Sequence, residues 1–158
     1  MNQEIRGKHY HDDTARRQWQ QPETILAEMG LAEGMTLVDL GCGEGFFTLP
    51  AARIVGATGQ IHALDANPAA TATLRERIIQ EGLSNINIET GRGEETVLCR
   101  ECADIVFLGI VLHDFESPDK VLANAYLMTR PGGRLVNLDW KKEPLPLGPP
   151  EHIKFSPD

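Results

Sequence analysis

Basic charge, cysteine and long hydrophobic runs are all scarce in this sequence. Its 158 residues carry 15 Lys and Arg against 23 Asp and Glu, which gives a net charge of −8 at pH 7. Nucleic-acid backbones are bound by clustered cationic side chains, so this balance disfavours a nucleic-acid partner. Only three cysteines are present. A small, odd number argues against a disulfide framework and for a reducing, cytoplasmic location.

No apolar run approaches the length that crosses a membrane. The polar start, MNQEIRGKHYHDD, also lacks the apolar segment of a secretory signal. The remaining composition, with 41% hydrophobic and 24% charged residues, is ordinary for a globular protein. At this length we expect one domain with a buried core.

Strand-like and helix-like segments alternate along most of the chain. Such alternation predicts an α/β fold, a Rossmann-like doubly wound parallel sheet. The predicted strands are Thr36–Leu40, Gln60–Leu64, Ile86–Thr90, Ala103–Leu108 and Arg134–Asp139. The predicted helices are Pro22–Gly30, Phe46–Val55, Asn67 to Gly82 and Ser117 to Met128, with capping residues, prolines and glycines at their ends. A turn is expected at Pro131–Gly133, before the last strand.

Polar sequence flanks this core. We divide the chain into a polar N-terminal segment, 1–21, a ligand-binding domain, 22–140, and a proline-rich tail, 141–158. The tail ends in Ser-Pro-Asp, the same triplet that opens the predicted helix at Ser117. We expect from this helix-start signal that the chain is truncated after Asp158.

The stretch VDLGCGEGFF, residues 38–47, is the most informative motif. Its three glycines directly follow the first strand, at the edge of a parallel sheet where ligands bind. Glycine lets the backbone approach a ligand closely. The dinucleotide fingerprint is G-x-G-x-x-G, and Phe46 stands where its third glycine would be. The spacing therefore disfavours a nicotinamide-dependent oxidoreductase.

Two acidic residues narrow the choice of ligand. Asp39 lies two residues before Gly41, where a carboxylate would repel a pyrophosphate but suits a ligand with an ammonium and a sulfonium group. Asp65 ends the second strand and can accept hydrogen bonds from both ribose hydroxyls. Ribose carboxylates occur in both cofactor classes, so Asp65 predicts a nucleoside without choosing between them. Asp39 and the glycine spacing favour S-adenosylmethionine.

Four segments resemble the class I S-adenosylmethionine-dependent methyltransferases in order and spacing. They are VDLGCGEGFFT, HALDAN, ADIVFLGIVLHDF and RPGGRLVNLDW. The similarity covers roughly residues 20–145 and points to the small branch with the ubiquinone/menaquinone C-methyltransferases and the arsenite methyltransferases. It implies that Asp39 and the loop with Gly41, Cys42, Gly43 and Gly45 hold the methionine part of the cofactor.

The same resemblance assigns the rest of the cofactor. It implies that Asp65 holds the ribose, that Ala66 lies beside the adenine and that Gly109 lines the methyl-donor site. The family often carries an Asp-Ala-Glu-like segment after the third strand. This chain has Arg92-Gly93-Glu94 there, and we expect Gly93 and Glu94 to take its place at the adenine.

The resemblance also implies a sheet order and shows what the chain lacks. The family order is 3-2-1-4-5-7-6, and this sequence supplies predicted strands for 3-2-1-4-5. The family's C-terminal helix and last two strands are missing, which leaves the fifth strand as an exposed edge. A second copy of the chain could cover that edge in a homo-oligomer.

His113 and Asp114 are the candidate catalytic residues. Both follow the fourth strand, and either could act as a general base if the methyl acceptor loses a proton. The alternatives are that Asp114 caps a turn and that His113 packs over the pocket. No Asn/Asp-Pro-Pro-aromatic segment follows this strand, which disfavours nucleic-acid bases and favours a small-molecule acceptor.

Weaker signals remain. Cys99-x-x-Cys102 could be a redox or metal pair, but a structural metal site needs four ligands, so two ordinary thiols are the better interpretation. No metal site is predicted. Trp19 and Tyr10 are either a lid over the cofactor or plain packing residues.

The sequence thus predicts an S-adenosylmethionine-dependent methyltransferase that acts on a small molecule. The alternative is a non-catalytic S-adenosylmethionine-binding module, or a subunit that lacks its acceptor half.

Overall fold

The computed structural model describes residues 13–142, 150–154 and 156. Tyr10, Asp158 and most of the proline-rich tail lie outside the described residues. The predicted division of the chain at residues 21 and 140 therefore stays a prediction.

Five strands form one sheet. They are β1 (Thr36–Leu40), β2 (Gln60–Asp65), β3 (Ile86–Thr90), β4 (Ala103–Gly109) and β5 (Thr129–Leu138). Their order is β3-β2-β1-β4-β5, and every neighbouring pair is parallel. The predicted fold class and strand order are confirmed. The direction of winding reverses between β1 and β4, and ligands bind at such a switch point in open α/β sheets.

Helices connect the strands. They are α1 (Asp13–Arg17), α2 (Pro22–Glu28), α3 (Thr48–Val55), α4 (Pro68–Glu81) and α5 (Pro118–Met128), with 3₁₀ turns at Leu112–Asp114 and Glu151–Ile153. Asn67 begins α4 as predicted, because its side-chain oxygen accepts a hydrogen bond from the N–H of Ala69 at 2.9 Å. None of the helices in the described ranges has the length and apolar character needed to cross a membrane.

The core lies on both faces of the sheet. Alternate side chains of β1 and β4 enter opposite clusters: Leu37 and Ile105 pack on one face, and Val38 and Val106 pack on the other. The first cluster includes residues of α2 and α3, and the second includes residues of α5. Burial on both faces explains why the strands read as continuous apolar runs.

The fifth strand differs from its prediction. It begins at Thr129, so the predicted turn at Pro131–Gly133 lies inside it. The pairing with β4 shifts register there, since Ala103 pairs with Thr129 while Ile105 pairs with Arg134. The extra residues are accommodated as a bulge in which Gly132 takes a φ of 79°. The turn residues bend the strand without ending it.

The start of α5 at Ser117-Pro118 is confirmed, but one other helix start and the predicted Ser117 cap are wrong. α3 begins at Thr48 and not at Phe46, because Phe46 and Phe47 form turns and pack edge-to-face with ring centroids 5.1 Å apart. The Ser117 side chain makes no capping hydrogen bond to α5. Instead Glu94 Oε1 accepts the N–H of Glu116 at 3.0 Å and that of Ser117 at 3.5 Å. A distant carboxylate therefore replaces the local cap.

Cys99 and Cys102 form a disulfide, with Cα atoms 6.0 Å apart. The prediction of two ordinary thiols is wrong in this structure. The three-residue spacing lets the segment before β4 bring both sulfur atoms together.

Candidate functional site

The loop between β1 and α3 contains three glycines with positive φ. The angles are 78° at Gly41, 54° at Gly43 and 95° at Gly45. A Cβ at Gly41 would lie 2.4 Å from Val111 Cγ2, and a Cβ at Gly45 would lie 2.4 Å from Leu74 Cδ1. A Cβ at Gly43 would have no heavy atom within 4 Å. The outer two glycines therefore allow close packing, whereas Gly43 faces open space that a ligand can fill.

Cys42 belongs to this loop but its thiol is buried. Its N–H donates to the Leu64 carbonyl at 3.0 Å, which ties the loop to the end of β2. Burial raises the pKa of the thiol, and the charges of Asp39 and Asp65 raise it further. The thiol therefore stays protonated and unreactive at neutral pH.

Asp39 is a buried acidic residue two positions before the glycine loop, with 2% of its surface exposed. Its Oδ2 accepts a hydrogen bond from Thr48 Oγ1 at 2.6 Å. The pKa of Asp39 is raised to about 6, mainly because the carboxyl group is buried. The hydrogen bond from Thr48 and the charge of Arg16 lower this pKa, and the charge of Asp65 raises it. Among the described residues no Lys, Arg or His forms an ion pair with Asp39. A bound cation would stabilise such a carboxylate.

Asp65 ends β2 and reaches across to the same loop. Its Oδ2 accepts the N–H of Gly43 at 2.7 Å, and its Oδ1 accepts the N–H of Asn67 at 2.8 Å. A carboxylate oxygen can accept more than one hydrogen bond, so Asp65 keeps capacity for ribose hydroxyls. Ala66 follows at the exposed surface. The structure therefore brings Asp39, Asp65 and the glycine loop together, as the sequence predicted.

The segment after β3 is fixed by contacts with α5 and the turn before it. A Cβ at Gly93 would lie 3.0 Å from Phe115 Cε1, and Asn124 Nδ2 donates to the Gly93 carbonyl at 2.9 Å. The Glu94 side chain is 7% exposed and holds the backbone at the start of α5. These contacts give Glu94 a structural role. Its predicted contact with adenine stays a prediction.

The end of β4 makes a sharp turn towards the glycine loop. A Cβ at Gly109 would lie 2.8 Å from both Phe47 Cε2 and Phe107 Cε1. Ile110 then takes a φ of 58°, a conformation that a β-branched residue rarely adopts. Its N–H donates to the Leu138 carbonyl at 2.6 Å. This turn places Val111 against Gly41 and starts the 3₁₀ turn that carries His113.

His113 pairs with an acidic residue that the sequence analysis missed. Its Nδ1 lies 2.7 Å from Asp139 Oδ1, and its Nε2 lies 3.5 Å from Asp114 Oδ1. The side chains of His113 and Asp139 are only 8% and 3% exposed. Burial lowers the pKa of His113, but the hydrogen bond and charge of Asp139 and the charge of Asp114 outweigh it, so the pKa is raised.

Asp139 has a second unusual feature. Its Oδ1 also accepts the N–H of Trp140 at 2.8 Å. Its Oδ2 is buried and has no hydrogen-bond partner within the described ranges. The position of Asp139 in the sequence could have identified it as a site residue. It directly follows β5, and the carboxyl ends of parallel strands lie at one edge of the sheet, where Asp39 and Asp65 also lie.

The N-terminal segment packs beside this edge. The rings of Trp19 and Trp140 lie 5.7 Å apart, and the Arg16 guanidinium lies 3.9 Å from the centre of the Phe46 ring. Arg77 of α4 connects α1 to the loop, since it pairs with Asp13 at 2.8 Å and donates to the Glu44 carbonyl at 2.9 Å. Trp19 is 41% exposed. Its predicted role as a lid is not tested by these contacts.

Comparisons with known proteins agree with this geometry. A family model described as a methyltransferase domain matches residues 31–157. The ubiquinone/menaquinone biosynthesis C-methyltransferase of Haemophilus ducreyi is 32% identical over 114 residues, which are 72% of this chain and 44% of that protein. The chain thus spans slightly less than half the length of this curated relative.

Solved structures show the same likeness. An S-adenosylmethionine-dependent methyltransferase from Aquifex aeolicus is 31% identical, with a TM-score of 0.84 over 92% of this chain and 77% of that chain. An arsenic(III) S-adenosylmethionine methyltransferase from Chlamydomonas reinhardtii is 27% identical, with a TM-score of 0.64 over 69% of this chain and 40% of that chain.

The residues at the sheet edge fit the cofactor of these proteins. The buried Asp39 carboxylate suits an ammonium group, Asp65 suits ribose hydroxyls, and Gly43 leaves space between them. The chain therefore belongs to the methyltransferase-domain family, with the Rossmann-like fold and the S-adenosylmethionine cofactor of that class.

Proposed function

We propose that this chain binds S-adenosylmethionine at the carboxyl ends of β1 and β2 and transfers its methyl group to a small-molecule acceptor. One observation carries the proposal. Asp39 is a buried carboxylate without an ion-pair partner in the described part of the chain, and it lies two residues before a loop whose central glycine faces open space. This combination selects a cationic ligand that comes close to the backbone.

Each part of the edge receives one part of the cofactor in this proposal. Asp39 and the loop from Gly41 to Gly45 bind the methionine portion. Asp65 binds the ribose hydroxyls, and the backbone at Ala66 and the Gly93–Glu94 segment flank the adenine. Gly109 lines the methyl-donor site through its backbone, because it ends β4 at the same edge of the sheet and the Phe47 and Phe107 rings fill the space of a side chain.

S-adenosylmethionine supplies an electrophilic methyl group on a sulfonium. The chain therefore contributes mainly by holding the reactants in line and excluding water, effects worth up to about 7–11 kcal/mol in favourable cases. The sharp turn at Ile110 and the aromatic contact between Trp19 and Trp140 place apolar surface near this edge. Both features serve the exclusion of water.

His113 is the proposed general base. Because Nδ1 is hydrogen-bonded to Asp139, the proton is held on Nδ1 and Nε2 is left to accept a proton from the acceptor. Asp114, 3.5 Å from Nε2, stabilises the imidazolium that results. A positioned base of this kind contributes roughly 100- to 10,000-fold to the rate when the acceptor must lose a proton.

The charge of the chain and the names of two similar proteins both favour a small-molecule acceptor. The net charge of −8 disfavours nucleic acid. The relatives named above act in quinone biosynthesis or on arsenic(III), so a quinol and arsenite are the first acceptors to test. We place the protein in the cytoplasm, a reducing compartment in which we expect the Cys99–Cys102 pair as two thiols. We also propose that the exposed edge of β5, where Leu135 is 39% exposed, pairs with a second copy.

Calorimetry tests the cofactor assignment. S-adenosylhomocysteine and S-adenosylmethionine should bind, and NAD should not. Asp65→Ala should weaken S-adenosylhomocysteine binding by about 10-fold or more, as expected for the loss of a charged hydrogen bond. Asp119→Ala, the same change at an exposed position in α5, is the control and should leave affinity unchanged. Micromolar binding of NAD without binding of S-adenosylhomocysteine would overturn the proposal.

A transfer assay separates an enzyme from a non-catalytic binding module. Methyl-labelled S-adenosylmethionine is incubated with the protein and a short-chain quinol, arsenite or duplex DNA, and label in the acceptor is counted. Transfer to quinol or arsenite, lost in His113→Asn, supports the proposed enzyme. Transfer to DNA alone contradicts the proposed acceptor class.

A further inference from the structure

A second cluster of ligand-type side chains lies apart from the cofactor site. His62 is on β2, three residues before Asp65 or about 10 Å along the strand. Cys99 and Cys102 belong to the segment that enters β4 at its amino end. One imidazole nitrogen of His62 and the two Sγ atoms all lie within 4.8 Å of one another. The fold thus brings His62 together with two cysteines that lie at least 37 positions later in the sequence.

His62 has no competing role that would explain its position. Its side chain makes no hydrogen bond and no ion pair with any residue in the described ranges, although it is half-buried. An imidazole without such a partner, next to two sulfur atoms, is a metal-binding arrangement.

After reduction, small movements bring the three side chains to the spacing of a tetrahedral soft-metal site. Typical zinc bonds of about 2.3 Å to sulfur and 2.0–2.1 Å to nitrogen place such ligand atoms roughly 3.5–3.8 Å apart. The two disulfide-bonded sulfur atoms must therefore separate by roughly 1.5–1.8 Å, and the imidazole nitrogen already lies within 4.8 Å of both. Two of the three ligands are cysteines, which favours thiophilic cations over Mg²⁺ or Ca²⁺.

A cavity supplies the fourth position. It has a volume of about 220 Å³ and is lined by His62, Asn87, Ile88, Glu89 and Leu98. Its volume accommodates several water molecules. Glu89 is exposed and lies on the neighbouring strand, where the register pairs His62 with Asn87. Water in this cavity can complete the coordination.

We propose that the reduced chain binds one thiophilic divalent cation, such as Zn²⁺, through His62, Cys99 and Cys102, with the fourth position open to this cavity. The disulfide and the metal exclude one another. A phosphine reductant takes the disulfide to two thiols and is itself oxidised to the phosphine oxide with oxygen from one water molecule. The cation then displaces the two thiol protons. The site is independent of the cofactor proposal, because none of its three ligands contacts the glycine loop.

Cobalt titration tests the site on the whole protein. The chain is reduced with a water-soluble phosphine, freed of reductant without oxygen and titrated with Co²⁺. The expected result is a 1:1 complex with intense thiolate-to-cobalt absorption in the near ultraviolet and the visible bands of a tetrahedral ion. Zn²⁺ should then displace Co²⁺ and abolish the spectrum.

Variants identify the ligands. Cys99→Ser, Cys102→Ser and His62→Gln should each weaken Zn²⁺ binding by at least about 10- to 100-fold, the range already seen for the loss of outer-shell contacts. Cys42→Ala and His152→Gln are the controls, since they remove a buried thiol and an exposed imidazole elsewhere, and both should keep the 1:1 complex. Circular dichroism verifies that each variant is folded.

Four results would overturn the proposal. The first is a reduced, folded chain that binds no Co²⁺ at micromolar concentration. The second is a cobalt spectrum that is unchanged in Cys99→Ser or Cys102→Ser. The third is equal affinity in His62→Gln and the parent, which would leave only a cysteine pair. An oxidised chain that binds as tightly as the reduced chain would likewise contradict it.

Discussion

Asp39 and Asp139 are alike in chemistry and placement but differ in their partners. Asp39 is the second-last residue of β1 and Asp139 follows β5, so both lie at the carboxyl edge of the sheet, and both side chains are almost completely buried. Asp39 has a hydroxyl partner, Thr48. Asp139 has an imidazole partner, His113. In the described part of the chain Asp39 has no ion-pair partner, whereas Asp139 is paired directly with His113.

In the proposed function this difference divides the edge into two halves. At β1 and β2, a buried carboxylate without an ion-pair partner in the described residues would receive the cationic cofactor. At β4 and β5, an acid and a base are already in contact, an arrangement that would serve proton transfer. Changes in the two halves should therefore have separate effects.

Asp39→Asn should weaken S-adenosylhomocysteine binding by about 10- to 100-fold, because a charge-assisted hydrogen bond to the ammonium group becomes a neutral one. Asn preserves the shape and can still accept from Thr48. Asp139→Asn, the matched change in the other half, should alter this affinity less than twofold. Calorimetry on both variants makes the comparison. Equal losses would mean that the two halves are not separate.

The affinity of the parent protein should depend on pH through Asp39. Its pKa of about 6 in the free protein lies above the ordinary 3.8. Protonation of Asp39 therefore stabilises the folded protein fully below about pH 4, and this stabilisation is lost as the pH rises through 6. The ligand binds the ionised form. Affinity should therefore fall about 10-fold between pH 7 and pH 5, where about one molecule in eleven is ionised. A flat profile in the parent would contradict the assignment, and Asp39→Asn should be flat.

Thr48→Val should have a smaller effect. The change keeps the shape of a fully buried side chain and removes the hydroxyl that bonds Asp39. Loss of this bond raises the pKa of Asp39 further and should weaken binding roughly 3-fold at pH 7. Thr48→Ser retains the hydroxyl and serves as the control. Tighter binding in Thr48→Val would show that the hydroxyl competes with the ligand.

The last prediction concerns His113, and here the cofactor affinity should not change. Asp139→Asn removes the partner that raises the pKa of His113, while burial continues to lower it. The pKa should therefore fall in the variant. Because the pKa is raised in the parent, the pair favours folding below the ordinary pKa of histidine and this contribution is lost as the pH rises through the raised value. NMR titration of the imidazole measures the shift, and an unchanged pKa would separate Asp139 from His113.

The sequence was sufficient to predict the parts that local pattern determines. Alternating strands and helices predicted the parallel sheet, and the spacing of Asp39, the glycines and Asp65 predicted which residues would share the edge. These predictions hold because the carboxyl ends of the strands of a parallel sheet lie at one edge, whatever the length of the segments between the strands. The Asn67 cap could also be predicted, because the N–H that its side chain binds belongs to a residue only two positions away.

Three of the errors share a cause, which is contact between residues far apart in the chain. Glu94 caps α5 from 22 residues before Glu116, and His113 meets Asp139 across 26 residues. The Pro131–Gly133 segment looked like a turn because its local preference is a turn, but pairing with β4 kept it in the strand. Tertiary contacts override local preference in such cases.

Arg77 has a kinetic consequence. Its guanidinium donates to the Glu44 carbonyl in the glycine loop and pairs with Asp13 in the first helix. The side chains of Arg77 and Asp13 are each about one-third exposed. Exposed ion pairs weaken as ionic strength rises. Salt will therefore loosen the first helix from the loop, so the rates at which the cofactor enters and leaves should increase together with ionic strength.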